Sequence, residues 1–208
     1  MQIYPIDDKK RIFQIIDLLD QETVDWMNTV DWLSIKNYEF DSGDPKYIFP
    51  RKILDSANSD VIKLTTSMQN KLSTINNLIE TSLNDININL WLDGPGFKMA
   101  VHTDEGIERV GVIASLQLYL FAPNEDYGTE FFTPKEFFNP NEDYDTVLFD
   151  KYKRIPFNSY YKFKSIPNTG YLMLNHLNED GSLPMLWHGM LNPVPEGCYR
   201  LSAYWYFK

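Results

Sequence analysis

The sequence predicts a mainly β fold, a barrel or jelly roll preceded by helices, and three observations predict it. From Ile86 onward the hydrophobic period is two, with Ile86, Ile88 and Leu90 alternating against Asn87, Asn89 and Trp91. The strand-like runs are short and separated by turns, with neither a βαβ rhythm nor a glycine-rich phosphate loop, which argues against a doubly wound nucleotide fold. Thirteen Phe, 13 Tyr and 5 Trp concentrate in the second half, as expected for a strand-built core with an aromatic-lined interior or mouth.

Taken in order, residues 7–32 carry Ile12, Phe13, Ile15, Ile16, Leu18 and Leu19 as a broad apolar face amid charge, and a helix is expected there, with a break near Asp20. A polar loop with glycine and prolines follows over 41–50. Residues 55–83 place Ile62, Leu64, Met68, Leu72, Ile75 and Ile79 at near-helical intervals, predicting a second helix, and the two helices are expected to cover one face of a sheet. Strands are then expected from Ile86, over 97–104 after the turn Asp93-Gly94-Pro95-Gly96, and over 111–121, 170–175 and 199–207. Residues 133–167, rich in aromatics, prolines and charges, read equally as a lid or substrate-mouth insertion and as a peripheral hairpin with its own aromatic cluster. The organisation expected is a single domain, 1–208, with helical support over 1–85 and a β core over 86–207.

The balance of 29 acidic against 19 basic residues, a net charge of -10, opposes binding to a phosphate backbone, so nucleic acid is a disfavoured partner. Cys198 is the single cysteine and permits no internal disulfide. No apolar run approaches the roughly 20 residues that cross a bilayer, and no signal segment opens the chain; the expectation is a soluble protein of the cytoplasm or another intracellular compartment. Oligomeric state is not legible.

The chemistry-bearing residues lie in the second half. His102 and Asp104, two apart in a strand, point the same way, and His188 in Leu186-Trp187-His188-Gly189 can close a set of two imidazoles and one carboxylate. Such a set holds non-haem Fe(II) with positions left open; zinc with a water ligand would accept the same three groups. Alone, His102-Thr103-Asp104 reads as a polar strand end, and His188 as a core histidine. His176, in a polar turn, is expected outside the ligand set. On the last strand Arg200, Ser202 and Tyr204 share a face, and a guanidinium with a hydroxyl two residues on can grip a carboxylate. The competing reading has Arg200 reach solvent or an internal acid.

With these residues in view, the sequence resembles the Fe(II)- and 2-oxoglutarate-dependent dioxygenases, especially the prolyl-hydroxylase-like group. His102 and Asp104 match the family's histidine-any-aspartate pair, His188 the distal ligand, and Arg200 with Ser202 the arginine-any-serine element. Trp91 to Gly96 resembles the segment before the ligand pair, and Asn192 to Gly197 the proline-containing turn before the arginine. The chain departs from the pattern at Tyr127-Gly128-Thr129-Glu130-Phe131, where many members have a double glycine, and at Trp91, where many have tyrosine. Gln117 or Tyr119 could supply the missing hydrogen bond; the two are expected to point to opposite faces, so that at most one faces the co-substrate, with Tyr119 preferred.

The resemblance spans residues 86–207 and implies a double-stranded β-helix, a distorted jelly roll. It implies Fe(II) on His102, Asp104 and His188, and the far carboxylate of 2-oxoglutarate on Arg200, Ser202 and Tyr119. The reaction implied couples decarboxylation of 2-oxoglutarate to hydroxylation of a C–H group, with ascorbate as a supporting reductant. The acidic charge and aromatic insertion favour a peptide or protein substrate, one presenting proline included, over a small metabolite. The alternatives are a noncatalytic jelly-roll binding module and, less favoured, a zinc-dependent hydrolase.

Overall fold

The computed structural model describes residues 1–40, 51–104, 111–134, 157–175 and 186–208. Among them twelve strands form two antiparallel sheets. The strands are β1 (Gln2–Pro5), β2 (Ile12–Ile16), β3 (Asn37–Phe40), β4 (Arg51–Leu54), β5 (Asp85–Asp93), β6 (Met99–His102), β7 (Ala114–Phe121), β8 (Glu130–Pro134), β9 (Phe157–Lys162), β10 (Thr169–Leu174), β11 (Trp187–Met190) and β12 (Arg200–Phe207). The larger sheet runs β1-β2-β10-β7-β12-β5-β4-β3 and the smaller β6-β11-β8-β9. Strands distant in sequence lie side by side in both, the jelly-roll arrangement expected from the period-two pattern.

Helices α1 (Gln21–Met27), α2 (Ser59–Gln69) and α3 (Leu72–Ile79) cover the outer face of the larger sheet. Val61, Leu64, Met68 and Ile75 enter one apolar cluster with Leu90, Leu116, Leu118 and Trp205. The helix covering expected from the sequence is therefore present, but the two long helices are not. Residues 12–16 form a central-side strand paired to both β1 and β10. Ile12 packs between the sheets while Phe13 and Ile15 pack under the helices, so the run is buried on both faces. A short, isoleucine-rich run of this kind satisfies helix and strand periodicity alike, and its pairing partners lie far away in sequence.

Only the part after Asp20 is helical, because the Asp20 carboxylate accepts the Thr23 amide at 2.9 Å and caps α1. The second predicted helix divides likewise: β4 precedes it, Asn58 caps α2, and Glu80 in the left-handed region ends α3. The first 85 residues thus contribute four strands as well as helices to the fold.

Within 133–167 the described ends belong to β8 and β9, which pair with each other, and Phe163 is buried against Phe131 and Tyr171. The remainder of that segment, like His176, lies outside the described residues. No helix among the described residues is long and apolar enough to cross a membrane.

Candidate metal centre and carboxylate cradle

His102 ends β6, and His188 sits directly opposite it on β11, so antiparallel pairing alone brings the two rings to 4.4 Å between centroids. Asp104 follows two residues past His102 with its carboxylate against both imidazoles: Oδ1 lies 3.4 Å from Nε2 of His102 and 3.7 Å from Nε2 of His188. All three expected ligands therefore converge, their donor atoms within 4.8 Å of one another.

The tautomers are set by the backbone. Nδ1 of His102 is 2.8 Å from the Ala100 carbonyl and Nδ1 of His188 is 2.9 Å from that of Leu186. A carbonyl only accepts, so each Nδ1 carries the proton and each Nε2 presents a lone pair. Two lone pairs and a carboxylate oxygen aimed at one another repel unless a cation or proton lies between them. Neutral imidazoles and an ionised carboxylate are also the ligand forms a divalent cation requires. Tyr204 donates to Oδ2 of Asp104 at 3.4 Å, leaving Oδ1 for the centre, and Phe131 stacks on His188 at 5.5 Å.

Deeper in the barrel lies Arg200, 1% exposed. It does meet an internal acid: Nε and Nη2 donate to Asp93 at 2.9 and 2.6 Å, and Nη1 to the Tyr127 carbonyl at 2.9 Å. Asp93 also takes two bonds from Arg51, at 2.8 and 3.0 Å. Burial would raise the Asp93 carboxyl, but Arg51 and then Arg200 outweigh it and hold the group below its ordinary value. Among the described residues, two guanidiniums share this one carboxylate. Arg51 escaped the sequence reading because a lone arginine after a loop carries no motif; only the β4–β5 register, Arg51 opposite Asp93, shows its place. The Arg51 guanidinium lies 4.8 Å from the Trp91 ring, so Trp91 serves as a packing surface for it.

Gln117 and Tyr119, two apart on β7, share the inward face, which corrects the expectation that only one would. Gln117 Nε2 donates to Ser202 Oγ at 3.0 Å, and its Oε1 accepts from Thr129 Oγ1 at 2.9 Å. The Thr129 amide donates to Tyr119 OH at 2.7 Å. A hydroxyl that accepts keeps its own proton to give, so Ser202 and Tyr119 both retain a donor. Arg200 adds its remaining N–H groups; of its five, three have partners among the described residues. A buried cluster of hydrogen-bond donors beside a guanidinium is complementary to a carboxylate.

Neither a family model nor a curated protein matches the sequence. Solved structures do match over nearly the whole chain. The viral collagen prolyl hydroxylase of Paramecium bursaria Chlorella virus-1, in its 2-oxoglutarate complex, is 17% identical at a TM-score of 0.54, covering 97% of this chain and 98% of that one. The epimerase SnoN, with Fe3+, α-ketoglutarate and a nogalamycin compound, is 12% identical at 0.58, covering 94% and 78%. A Trichoplax adhaerens prolyl hydroxylase bound to a hypoxia-inducible-factor peptide fragment is 15% identical at 0.56, covering 94% and 83%. What is shared at this identity is the fold, and it is the fold of the 2-oxoglutarate–Fe(II) oxygenases.

Proposed function

We propose that this chain is an Fe(II)- and 2-oxoglutarate-dependent oxygenase that hydroxylates a C–H group, in a peptide or protein by preference and on a prolyl residue among the candidates. The observation that carries the proposal is the convergence of the His102, His188 and Asp104 donor atoms, with both Nδ1 positions engaged by backbone carbonyls. The donor cluster of Arg200, Ser202 and Tyr119 makes 2-oxoglutarate the co-substrate proposed, its far carboxylate received there. Bound together, Fe(II) and 2-oxoglutarate supply oxidative decarboxylation coupled to C–H hydroxylation, the chemistry no side chain provides.

The protein's own residues bind and orient. Tyr204 fixes the Asp104 carboxylate, and Asp93 with Arg51 holds the Arg200 guanidinium in one pose. Phe131, stacked on His188 and backed by Phe163, sets apolar surface beside the centre, which strengthens each charge interaction there. The net charge of -10 supports a peptide over a nucleic acid, and the peptide-bound neighbour supports it by analogy of fold. An intracellular setting forms part of the proposal, in keeping with the free thiol of Cys198.

Incubation with Fe(II), ascorbate, oxygen and 2-oxoglutarate is expected to yield succinate, and one member of a peptide panel to gain a single oxygen atom and accelerate turnover. Folded, metal-loaded protein yielding no succinate across peptide and metabolite panels would move the reading to a binding module. Hydrolysis without oxygen or 2-oxoglutarate would move it to a zinc enzyme.

A further inference from the structure

Gln117 and Ser202 form a diagonal pair across β7 and β12, both buried on the inward face, with Ser202 directly opposite Tyr119. Behind them stands Thr129, fully buried and held through its backbone on both sides. Its amide donates to Tyr119 OH at 2.7 Å, and its carbonyl accepts from the Phe163 amide at 2.9 Å. Gly128, next to it, leaves no room for a Cβ against the Phe163 carbonyl. A β-branched side chain on a backbone fixed in this way has few χ1 choices, and the one it takes sets its hydroxyl against Gln117.

That hydroxyl heads a chain of hydrogen bonds. Thr129 Oγ1 donates to Gln117 Oε1 at 2.9 Å, and Gln117 Nε2 donates to Ser202 Oγ at 3.0 Å. An amide has a direction, because its oxygen only accepts and its nitrogen only donates, whereas the hydroxyls at the two ends can do either. Run as observed, the chain leaves Ser202 with a proton to give, and among the described residues no acceptor takes it. Reversed, Ser202 would spend that proton on Gln117 Oε1 and turn only lone pairs toward the cradle. The observed direction attracts a carboxylate, and the reversed one repels it. Tyr119 is prepared in the same sense: it accepts from the Thr129 amide, and burial raises its hydroxyl above the ordinary value, so its proton stays available.

We propose that Thr129 is a positioning residue for the co-substrate: its hydroxyl fixes the Gln117 amide and thereby aims the Ser202 proton at the far carboxylate, so that the cradle selects a 2-oxo acid bearing a second carboxylate. This rests on the oxygenase reading and assigns a part in it to a side chain that does not itself touch the ligand. The sequence did not single Thr129 out, since its hydrogen-bond partners Tyr119 and Gln117 lie on another strand, 10 and 12 residues away.

The test uses the full chain, loaded anaerobically with Mn(II) and titrated in a calorimeter with 2-oxoglutarate and with 2-oxobutyrate. The second acid offers the metal the same carboxylate and keto oxygen but has no far carboxylate. Thr129→Val keeps the branched shape and the backbone bonds but cannot donate, so Gln117 Oε1 lacks its donor and the amide turns to take the Ser202 proton instead. 2-Oxoglutarate is expected to bind about three- to tenfold more weakly, while Mn(II) and 2-oxobutyrate bind as in wild type. Thr129→Ser, which keeps the hydroxyl, should restore wild-type affinity. Because Thr129 acts through Ser202, the double variant of Thr129→Val with Ser202→Ala should lose no more than Ser202→Ala alone. Thr129→Ala, which removes the same hydroxyl, carries the same expectations should the valine variant fail to fold.

A Thr129→Val protein that binds 2-oxoglutarate as wild type does overturns the role. A loss shared equally by 2-oxobutyrate also overturns it, because that marks a packing defect rather than a misdirected donor. Losses that add in the double variant overturn it too, by placing the effect of Thr129 outside Ser202. Wild type that binds neither Mn(II) nor 2-oxoglutarate in the calorimeter overturns the oxygenase reading itself, and the positioning role falls with it.

Discussion

Asp93 accepts four bonds from two buried guanidiniums, so it is the residue on which the interior charge turns. Its folded-state pKa lies below the ordinary value, so the cluster stabilises the protein above the unfolded carboxylate range and loses that contribution as pH falls through the folded value. Asp93→Asn, which leaves two buried cations facing a neutral amide, is expected to cost about 3–5 kcal/mol near neutral pH. Urea melts should show the gap to wild type narrowing as the buffer is taken down to about pH 3, below the usual carboxylate value; a gap constant with pH would refute the role. For Arg200, Arg200→Lys keeps a charge beside Asp93 but loses the planar fork, and should weaken 2-oxoglutarate binding more than Mn(II) binding, with Ser202→Ala a smaller loss. Removing any one of His102, Asp104 or His188 should abolish tight metal binding, while Tyr204→Phe, which frees Oδ2 of Asp104, should weaken it by about 10-fold or less.

At the scale of elements, the pairing of β7 with β10 backs the cradle, with Tyr171 opposite Gln117. Gly170 lies opposite Leu118, and a Cβ added there would collide with the Gln117 carbonyl oxygen, so only glycine permits this approach. Gly170→Ala is expected to destabilise the protein by about 3 kcal/mol, because backbone rather than a flexible side chain must yield; a melt within a degree of wild type would show that the pairing is looser than its register implies. Gly128 is constrained in the same way by the Phe163 carbonyl, which is why this chain keeps one glycine in the segment before β8. β5, β6, β7, β10 and β12 were legible as strand-like runs bounded by turns, whereas β8, β9 and β11 were not, and the convergence of His102, Asp104 and His188 was foreseeable because their residue types suit a metal. β2 and β4 were not, since Ile12–Ile16 reads equally well as a helix face and Arg51–Leu54 is too short to show a period.

For the whole molecule, binding at the metal centre and cradle should appear as stability. With Mn(II) already bound, 2-oxoglutarate at roughly 100 times its dissociation constant would add about 2.7 kcal/mol by mass action. In a chain of this size that raises Tm by roughly 5–10 °C. Differential scanning fluorimetry checks it; the shift should vanish in His188→Ala and shrink in Arg200→Lys, and an equal shift in all three would disconnect stability from the site. The shift is global because the ligands bridge the two sheets: His102 and His188 stand on the smaller one, and Arg200, Ser202 and Tyr119 on the larger.

The sequence by itself determined the fold class, three side chains able to hold a metal and the inward face of the last strand, because period-two burial and donor chemistry are properties of residue type and local spacing. Tertiary structure alone decided two things: that Arg200 and Arg51 share the Asp93 carboxylate, and that Gln117 and Tyr119 stand on one face. Each depends on which distant strands lie side by side, and strand order is chosen by long-range burial, which no local window of residues contains.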